Sequence, residues 1–149
     1  MRILDSLFSF AVNWGCTITP VEAQTWYYLL LANFHGKGVL QAIPDFVFFP
    51  RGEKHFENAP MVIEAKLDMS LITEQQKAFS QSLSYARMLR SSIMGICDKE
   101  RLVLYRVDAN GASDRNQPLY ENHWKAIYSD EIEGAKLKQL IGREIVSRL

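Results

Sequence analysis

Hydrophobic positions recur along the chain at helical spacing in some segments and as short β-rich runs in others, which predicts an alternation of helices and strands. The Thr-Pro-Val-Glu segment at residues 19–22 is typical of a helix start, because threonine can cap and proline suits the first turn. Apolar residues at helical spacing continue from there to Phe34, and Gly36 and Gly38 end the predicted helix. Residues 3–14 are predicted to form a short buried element before it, also a helix.

Two runs rich in β-branched and aromatic residues follow, over 45–49 and 61–67. They are separated by a polar, turn-like stretch between Pro50 and Pro60. This arrangement predicts two neighbouring antiparallel strands.

A long amphipathic helix is predicted over 74–91, because apolar residues recur there at helical spacing. Thr73 and Gln76 are expected to form its capping box. The remaining predicted elements are a strand at 92–97, a turn at 98–100, a strand at 102–107, a loop containing Asn110-Gly111 and an amphipathic helix from about Asp130. A helix between two strand pairs permits a crossover connection, so an α/β domain with a mixed sheet is expected.

Composition narrows the class of protein without naming a function. The 149 residues suit one domain, 1–149, and no Gly-Ser or Pro-rich linker divides them. The 17 basic and 17 acidic side chains cancel, which argues against coating DNA through bulk charge but leaves a local basic patch open. Two cysteines, Cys16 and Cys97, are too few for a disulfide framework, which predicts a reducing cellular compartment. Both are expected to be buried packing residues. The N-terminal apolar stretch is too short and interrupted to span a bilayer, so a cytoplasmic location with no membrane partner is expected.

Candidate chemistry is concentrated on the two motif strands. Side chains two apart on a strand share a face, so Glu64 and Lys66 are expected to point the same way. Asp45 opens the first strand, and strand pairing would bring it near Glu64. Two carboxylates and a backbone carbonyl, that of Ala65, make a hard oxygen site for Mg²⁺ or Mn²⁺. The alternative is that Glu64 and Lys66 belong to a solvated outer face of an antiparallel sheet.

Lys66 beside such an ion would orient or help deprotonate an attacking water, or balance charge in the transition state. The natural reaction for this group is hydrolysis of a phosphodiester.

Pro44-Asp45, followed after eighteen residues by Glu64-Ala65-Lys66, resembles the motif of the PD-(D/E)xK nuclease superfamily. The resemblance covers about residues 20–107. It implies a restriction endonuclease-like three-layer α/β/α fold, with a central mixed sheet of four to five strands flanked by helices. It also implies a Mg²⁺-dependent endonuclease in which Asp45 and Glu64 bind the ion and Lys66 is the catalytic lysine.

Gln81 and Tyr85 lie four residues apart and share a face of the predicted helix after the motif. This Q-x-x-x-Y pattern is similar to that of the nuclease domains of type I restriction enzyme R subunits, where the pair is thought to assist catalysis or contact DNA. Lys77 shares that face one turn earlier, as a further nucleic-acid contact or as a solvated lysine. Glu22 lies where many superfamily members carry an extra active-site acid, although a capping role also explains it. Unlike an R subunit, the chain has no G-x-x-x-x-G-K-[ST] phosphate loop to drive ATP-dependent translocation.

Three functions are compatible with these features. The first is a DNA endonuclease domain, for which cutting both strands would require two sites and hence a homodimer or a larger restriction-type complex. The second is a catalytically silent module of the same fold that binds nucleic acid or a protein partner. The third is a metal-dependent protein that acts on another substrate.

Overall fold

A computed structural model describes residues 44–48 and 58–142 of the chain. The predicted helices over 3–14 and from 19 to 34 lie outside this part, as do Cys16 and Glu22. The described elements are the strands β1 (Phe46–Phe48), β2 (Met61–Ala65), β3 (Ile93–Cys97), β4 (Arg101–Arg106) and β5 (Tyr120–His123), and the helices α1 (Ile72–Met88), α2 (Trp124–Ser129) and α3 (Glu131–Ile141).

The five strands form one sheet in the order β1-β2-β3-β4-β5. Strands β1 and β2 pair antiparallel, as predicted. Strands β2 and β3 pair parallel, because α1 returns the chain to the starting end of the sheet. Strand β4 pairs antiparallel with both β3 and β5. The expected α/β class with a mixed sheet is therefore confirmed.

The sheet has a hydrophobic core on each face, because side chains alternate along every strand. On one face, here called the α1 face, Val62 and Met94 pack with Phe79 and Ala86 of helix α1. On the other, the α3 face, the core residues are Phe48, Met61, Ile63, Ile93, Cys97, Leu102, Leu104, Tyr120, Trp124, Ile127, Leu137 and Ile141. Helices thus cover both faces of the sheet, and Cys97 is buried as expected.

Helix α1 begins earlier than the sequence pattern predicts. Its N-cap is Leu71, whose backbone is extended and whose apolar side chain cannot accept a hydrogen bond. Thr73 lies inside the helix, so the predicted capping box of Thr73 with Gln76 is wrong. Helix α3 does begin where predicted, and the Asp130 side chain accepts a hydrogen bond from the Ile132 N–H at 2.9 Å.

Strand β5 and helix α2 are not foreseen in the sequence. The strand is the polar tetrapeptide Tyr-Glu-Asn-His, which has no apolar alternation beyond its first residue. It is recognisable only from its pairing with β4, where Leu104 opposes Tyr120. Within the described ranges, no helix combines the length and apolar character needed to cross a membrane.

Candidate active site

Glu64 lies at the carboxyl-terminal end of β2, Lys66 directly follows the strand, and the two side chains meet on the α1 face. Alternation places Glu64 on the same side as Val62, which belongs to the α1-face core. Glu64 is only 4% exposed, and the side chain of Lys66 is 23% exposed. The alternative interpretation, in which Glu64 belongs to a solvated outer face, is therefore wrong.

Asp45 is hydrogen-bonded to the backbone at the end of β2. The register pairs Phe46 with Ile63, so one further step along both strands places Asp45 opposite Glu64. The Ala65 N–H donates to Asp45 Oδ2 at 2.7 Å. Because Lys66 N donates to the Cys97 carbonyl in β3, the backbone groups of Ala65 point the other way, towards β1 and Asp45. Asp45 and the Ala65 carbonyl thus lie at the same edge of β2.

The two oxygens of Glu64 have different surroundings. Lys66 Nζ donates to Glu64 Oε1 at 2.7 Å, which is a direct ion pair between neighbours on one strand face. Glu64 Oε2 is buried and has no hydrogen-bond partner among the described residues. A buried carboxylate oxygen without a donor is costly unless a cation binds it.

The charges around Glu64 affect its protonation in opposite directions. Burial raises the pKa of Glu64, the hydrogen bond from Lys66 lowers it, and the nearby Asp45 carboxylate raises it again. The net pKa shift is upward. Asp45 and Glu64 lie opposite each other across the strand pair, close enough for their charges to interact, and among the described residues Lys66 is the cation that pairs with Glu64.

Tyr85 of helix α1 lies close enough to both carboxylates for their charges to affect it. It is buried in the α1-face core. Burial, followed by the negative charges of Glu64 and Asp45, raises the pKa of Tyr85 to about 12. The phenol therefore stays protonated at neutral pH and is available as a hydrogen-bond donor beside the carboxylates.

The other predicted residues of α1 are not part of this cluster. Gln81 is exposed one turn before Tyr85, and among the described residues it makes no hydrogen bond to the carboxylates. Lys77 is also exposed, and its Nζ pairs with Glu74 Oε1 of the same helix at 2.6 Å. Both could reach only a ligand that extends along the outside of α1. Glu22 lies outside the described residues.

The donor set has the hardness that Mg²⁺ and Mn²⁺ require. Residues 44–48 and 58–142 contain no group of three or more His, Cys, Asp or Glu side chains placed to share an ion. Asp45 and Glu64 would therefore supply two oxygens, with the Ala65 carbonyl and water as further ligands. Glu64 Oε2 is buried and lacks a donor among the described residues, and this is the feature of the site that suits a bound cation.

Asp98, which no sequence pattern marks as more than a turn residue, is buried and organises the loop after Lys66. Its Oδ2 accepts from the Met69 N–H at 2.9 Å, and its Oδ1 accepts from the N–H groups of Glu100 and Arg101 at 2.9 Å each. Arg101 Nη2 also donates to the Met69 carbonyl at 2.9 Å. An aspartate at the start of a turn is a recognisable signal for the two local bonds, but not for the bond to Met69.

Comparison of the chain with models of protein families gave no match, and searches of curated proteins and of solved structures gave none either. The geometry of the site therefore carries the functional inference.

Proposed function

We propose that the chain is a metal-dependent nuclease domain of the PD-(D/E)xK type, with a restriction endonuclease-like fold, that hydrolyses phosphodiester bonds of DNA. The observation that carries this proposal is the convergence of Asp45 and Glu64 on one face beside Lys66, with Glu64 Oε2 buried and lacking a donor. The parallel crossover from β2 through α1 to β3 supports it, because it places α1 on the face to which Glu64 points and brings Tyr85 near the two carboxylates.

Asp45, Glu64 and the Ala65 carbonyl would hold Mg²⁺ or Mn²⁺ at the end of β2. When bound, the ion supplies polarisation of a phosphate oxygen and activation of water. The hydrogen bond from the Ala65 N–H holds Asp45 in place. The Asp45 carboxylate therefore does not have to be ordered when it binds the ion.

Lys66 and Tyr85 supply the groups that would act on the substrate. Lys66 is partly exposed, so its ammonium can reach a phosphate oxygen and balance the negative charge that develops in the transition state. The protonated Tyr85 phenol can donate a hydrogen bond to the same phosphate. Gln81 and Lys77, exposed on preceding turns of α1, would contact the nucleic-acid backbone.

A plasmid nicking assay tests the proposal. Supercoiled DNA is incubated with the protein and Mg²⁺ or Mn²⁺, in parallel with Asp45→Asn and Lys66→Met. Both variants are expected to lose at least about 100-fold in rate, because each removes a group required in the transition state. Lys136→Met is the matched control: Lys136 pairs with Glu133 on α3, on the other side of the sheet, and its loss should leave the rate unchanged.

The outcomes separate the proposed enzyme from the alternatives. Metal-dependent nicking that both site variants abolish, and the control keeps, supports the nuclease. If plasmid stays intact at high protein concentration but is retarded in a gel, the domain binds nucleic acid without cutting it. If neither cleavage nor retardation occurs, DNA is not the substrate.

A further inference from the structure

Lys66 is the cation that neutralises Glu64 in this structure. Its Nζ lies 2.7 Å from Glu64 Oε1, and Glu64 Oε2 remains buried without a donor. Lys66 therefore binds one oxygen of a carboxylate that a divalent ion would also need as a ligand. The opposite carboxylate, Asp45, already accepts the Ala65 N–H.

The two partners of this ion pair differ in their freedom to move. The Glu64 side chain is 6% exposed, whereas the Lys66 side chain is 23% exposed and ends a flexible four-carbon stem. Lys66 follows the last residue of β2, so the start of the β2–α1 loop borders it rather than a further strand residue. Lys66 can therefore turn outward to solvent or substrate, while Glu64 is confined by its burial.

We infer that Lys66 and the divalent cation compete for Glu64, so that binding of the cation releases Lys66 towards the substrate phosphate. The inference rests on the proposed function, since it concerns the same site. In the absence of the ion, the lysine acts as a built-in counter-ion for a buried carboxylate. In its presence, Glu64 exchanges the ammonium for the ion, and the ammonium is free to act on DNA.

Competition and mere support of the site predict opposite changes in ion affinity when Lys66 is removed. If Lys66 only held Glu64 in a binding orientation, its loss would weaken ion binding. If Lys66 competes, its loss removes one positive charge from beside a dication and strengthens binding. For charges a few ångströms apart that are largely screened by water, Coulomb's law gives an effect of about tenfold.

Mn²⁺ binding to the whole chain, measured by calorimetry at fixed pH without DNA, tests the inference. Lys66→Met is expected to bind Mn²⁺ about tenfold more tightly than the unaltered protein. Lys66→Arg keeps the positive charge and should bind within about twofold of it. Lys136→Met removes a lysine that also pairs with a glutamate but lies on α3, and it should bind like the unaltered protein.

Lysine acetylation of the unaltered protein gives a second measurement that needs no variant. Peptide mass spectrometry after brief treatment with an amine-acetylating reagent, with and without Ca²⁺, should show that Ca²⁺ increases labelling of Lys66 relative to Lys136. Ca²⁺ serves here as an oxygen-seeking cation that occupies carboxylate sites. This measurement decides the question if Lys66→Met fails to fold.

Failure of the inference is distinguishable from failure of the proposed function. If the unaltered protein binds Mn²⁺ but Lys66→Met binds it equally or more weakly, the competition is refuted and the metal site stands. The competition is likewise refuted if Ca²⁺ leaves Lys66 labelling unchanged or reduces it. If the unaltered protein binds no Mn²⁺, the proposed metal site is refuted and the inference with it.

Discussion

A glutamate that is 4% exposed normally occurs with its charge fully paired. Glu64 has Lys66 on one oxygen, while the other lacks a donor and the Asp45 carboxylate lies nearby. Such an arrangement lowers the stability of the folded protein in the absence of a cation. Sites that bind charged ligands commonly carry this cost, because the ligand removes it.

Glu64→Gln is expected to stabilise the protein at neutral pH in the presence of a chelator. Burial raises the pKa of Glu64 above its ordinary value of 4.5, so the folded state holds this proton more tightly than the unfolded chain does. Stability from this group is therefore lost as the pH rises from 4.5 through the raised pKa. The uncharged amide of the variant would resemble the protonated carboxyl group at every pH.

Urea unfolding at neutral pH and near pH 4, with chelator in both, measures the effect. The difference between Glu64→Gln and the parent should be largest at neutral pH and should shrink in acid. A variant that is less stable than the parent at neutral pH would contradict this account of Glu64. Added Mn²⁺ should reverse the order, because only the parent retains both carboxylates.

At the scale of the element, helix α1 begins before the capping residue that its sequence predicts. The loop before it is held by two hydrogen bonds, because the Met69 carbonyl accepts from Gln75 Nε2 at 2.8 Å and from Arg101 Nη2 at 2.9 Å. The helix begins directly after this anchored loop, at Ile72. Thr73, the better capping residue in the sequence, is thus drawn into the first turn.

Leu71→Ser is therefore expected to stabilise the protein by about 0.5–1 kcal/mol. Leu71 already has the extended backbone of an N-cap and is 64% exposed, so little apolar burial is lost. The new hydroxyl would face the N-terminal N–H groups of α1, and Glu74 at the third helical position would complete a capping box. Chemical denaturation measures the gain.

Helix α3 provides the matched comparison for this change. Asp130 caps it through the Ile132 N–H, so Asp130→Ala should lose about 1 kcal/mol by the same mechanism. A destabilised Leu71→Ser, beside a destabilised Asp130→Ala, would mean that the Leu71 side chain has a packing role that its exposure does not reveal.

At the scale of the molecule, Asp98 connects the two helical layers. Its side chain accepts the Met69 N–H on the side of the β2–α1 loop. Its backbone carbonyl accepts the Trp124 indole N–H from the start of α2 at 2.8 Å. Trp124 itself lies in the α3-face core. One buried residue between β3 and β4 therefore links the loop beside the candidate site to the helices on the opposite face.

Asp98→Asn is expected to destabilise the protein by about 2–3 kcal/mol, because an amide NH₂ would face backbone N–H donors that now reach carboxylate oxygens. Asp108→Asn is the control. Asp108 accepts the N–H groups of Asn110 and Ala112 in an exposed turn, where water can replace either bond. Asp108→Asn should lower the free energy of unfolding by less than about 1 kcal/mol. Equal losses in urea unfolding would show that Asp98 acts only in its own turn.

What the sequence determines about this protein is local in origin. The two-residue period of the predicted strand over 61–67 places Glu64 and Lys66 on one face, and their ion pair persists although β2 itself ends at Ala65. The short run before Pro50 and the run after Pro60 are sufficient to predict the antiparallel pair that brings Asp45 to Ala65. The order of strand pairs around a helix likewise predicts the mixed sheet.

Tertiary structure alone decides how these residues are surrounded. Glu64 is buried on the face that α1 packs against, with Tyr85 nearby, and residues 61–67 do not by themselves show which segment packs there. Strand β5 exists because β4 offers it a free edge, although its own residues are mostly polar. The physical reason is the same in both cases. Periodicity depends on neighbours along the chain, whereas burial, pKa and edge pairing depend on which distant segment packs against a residue.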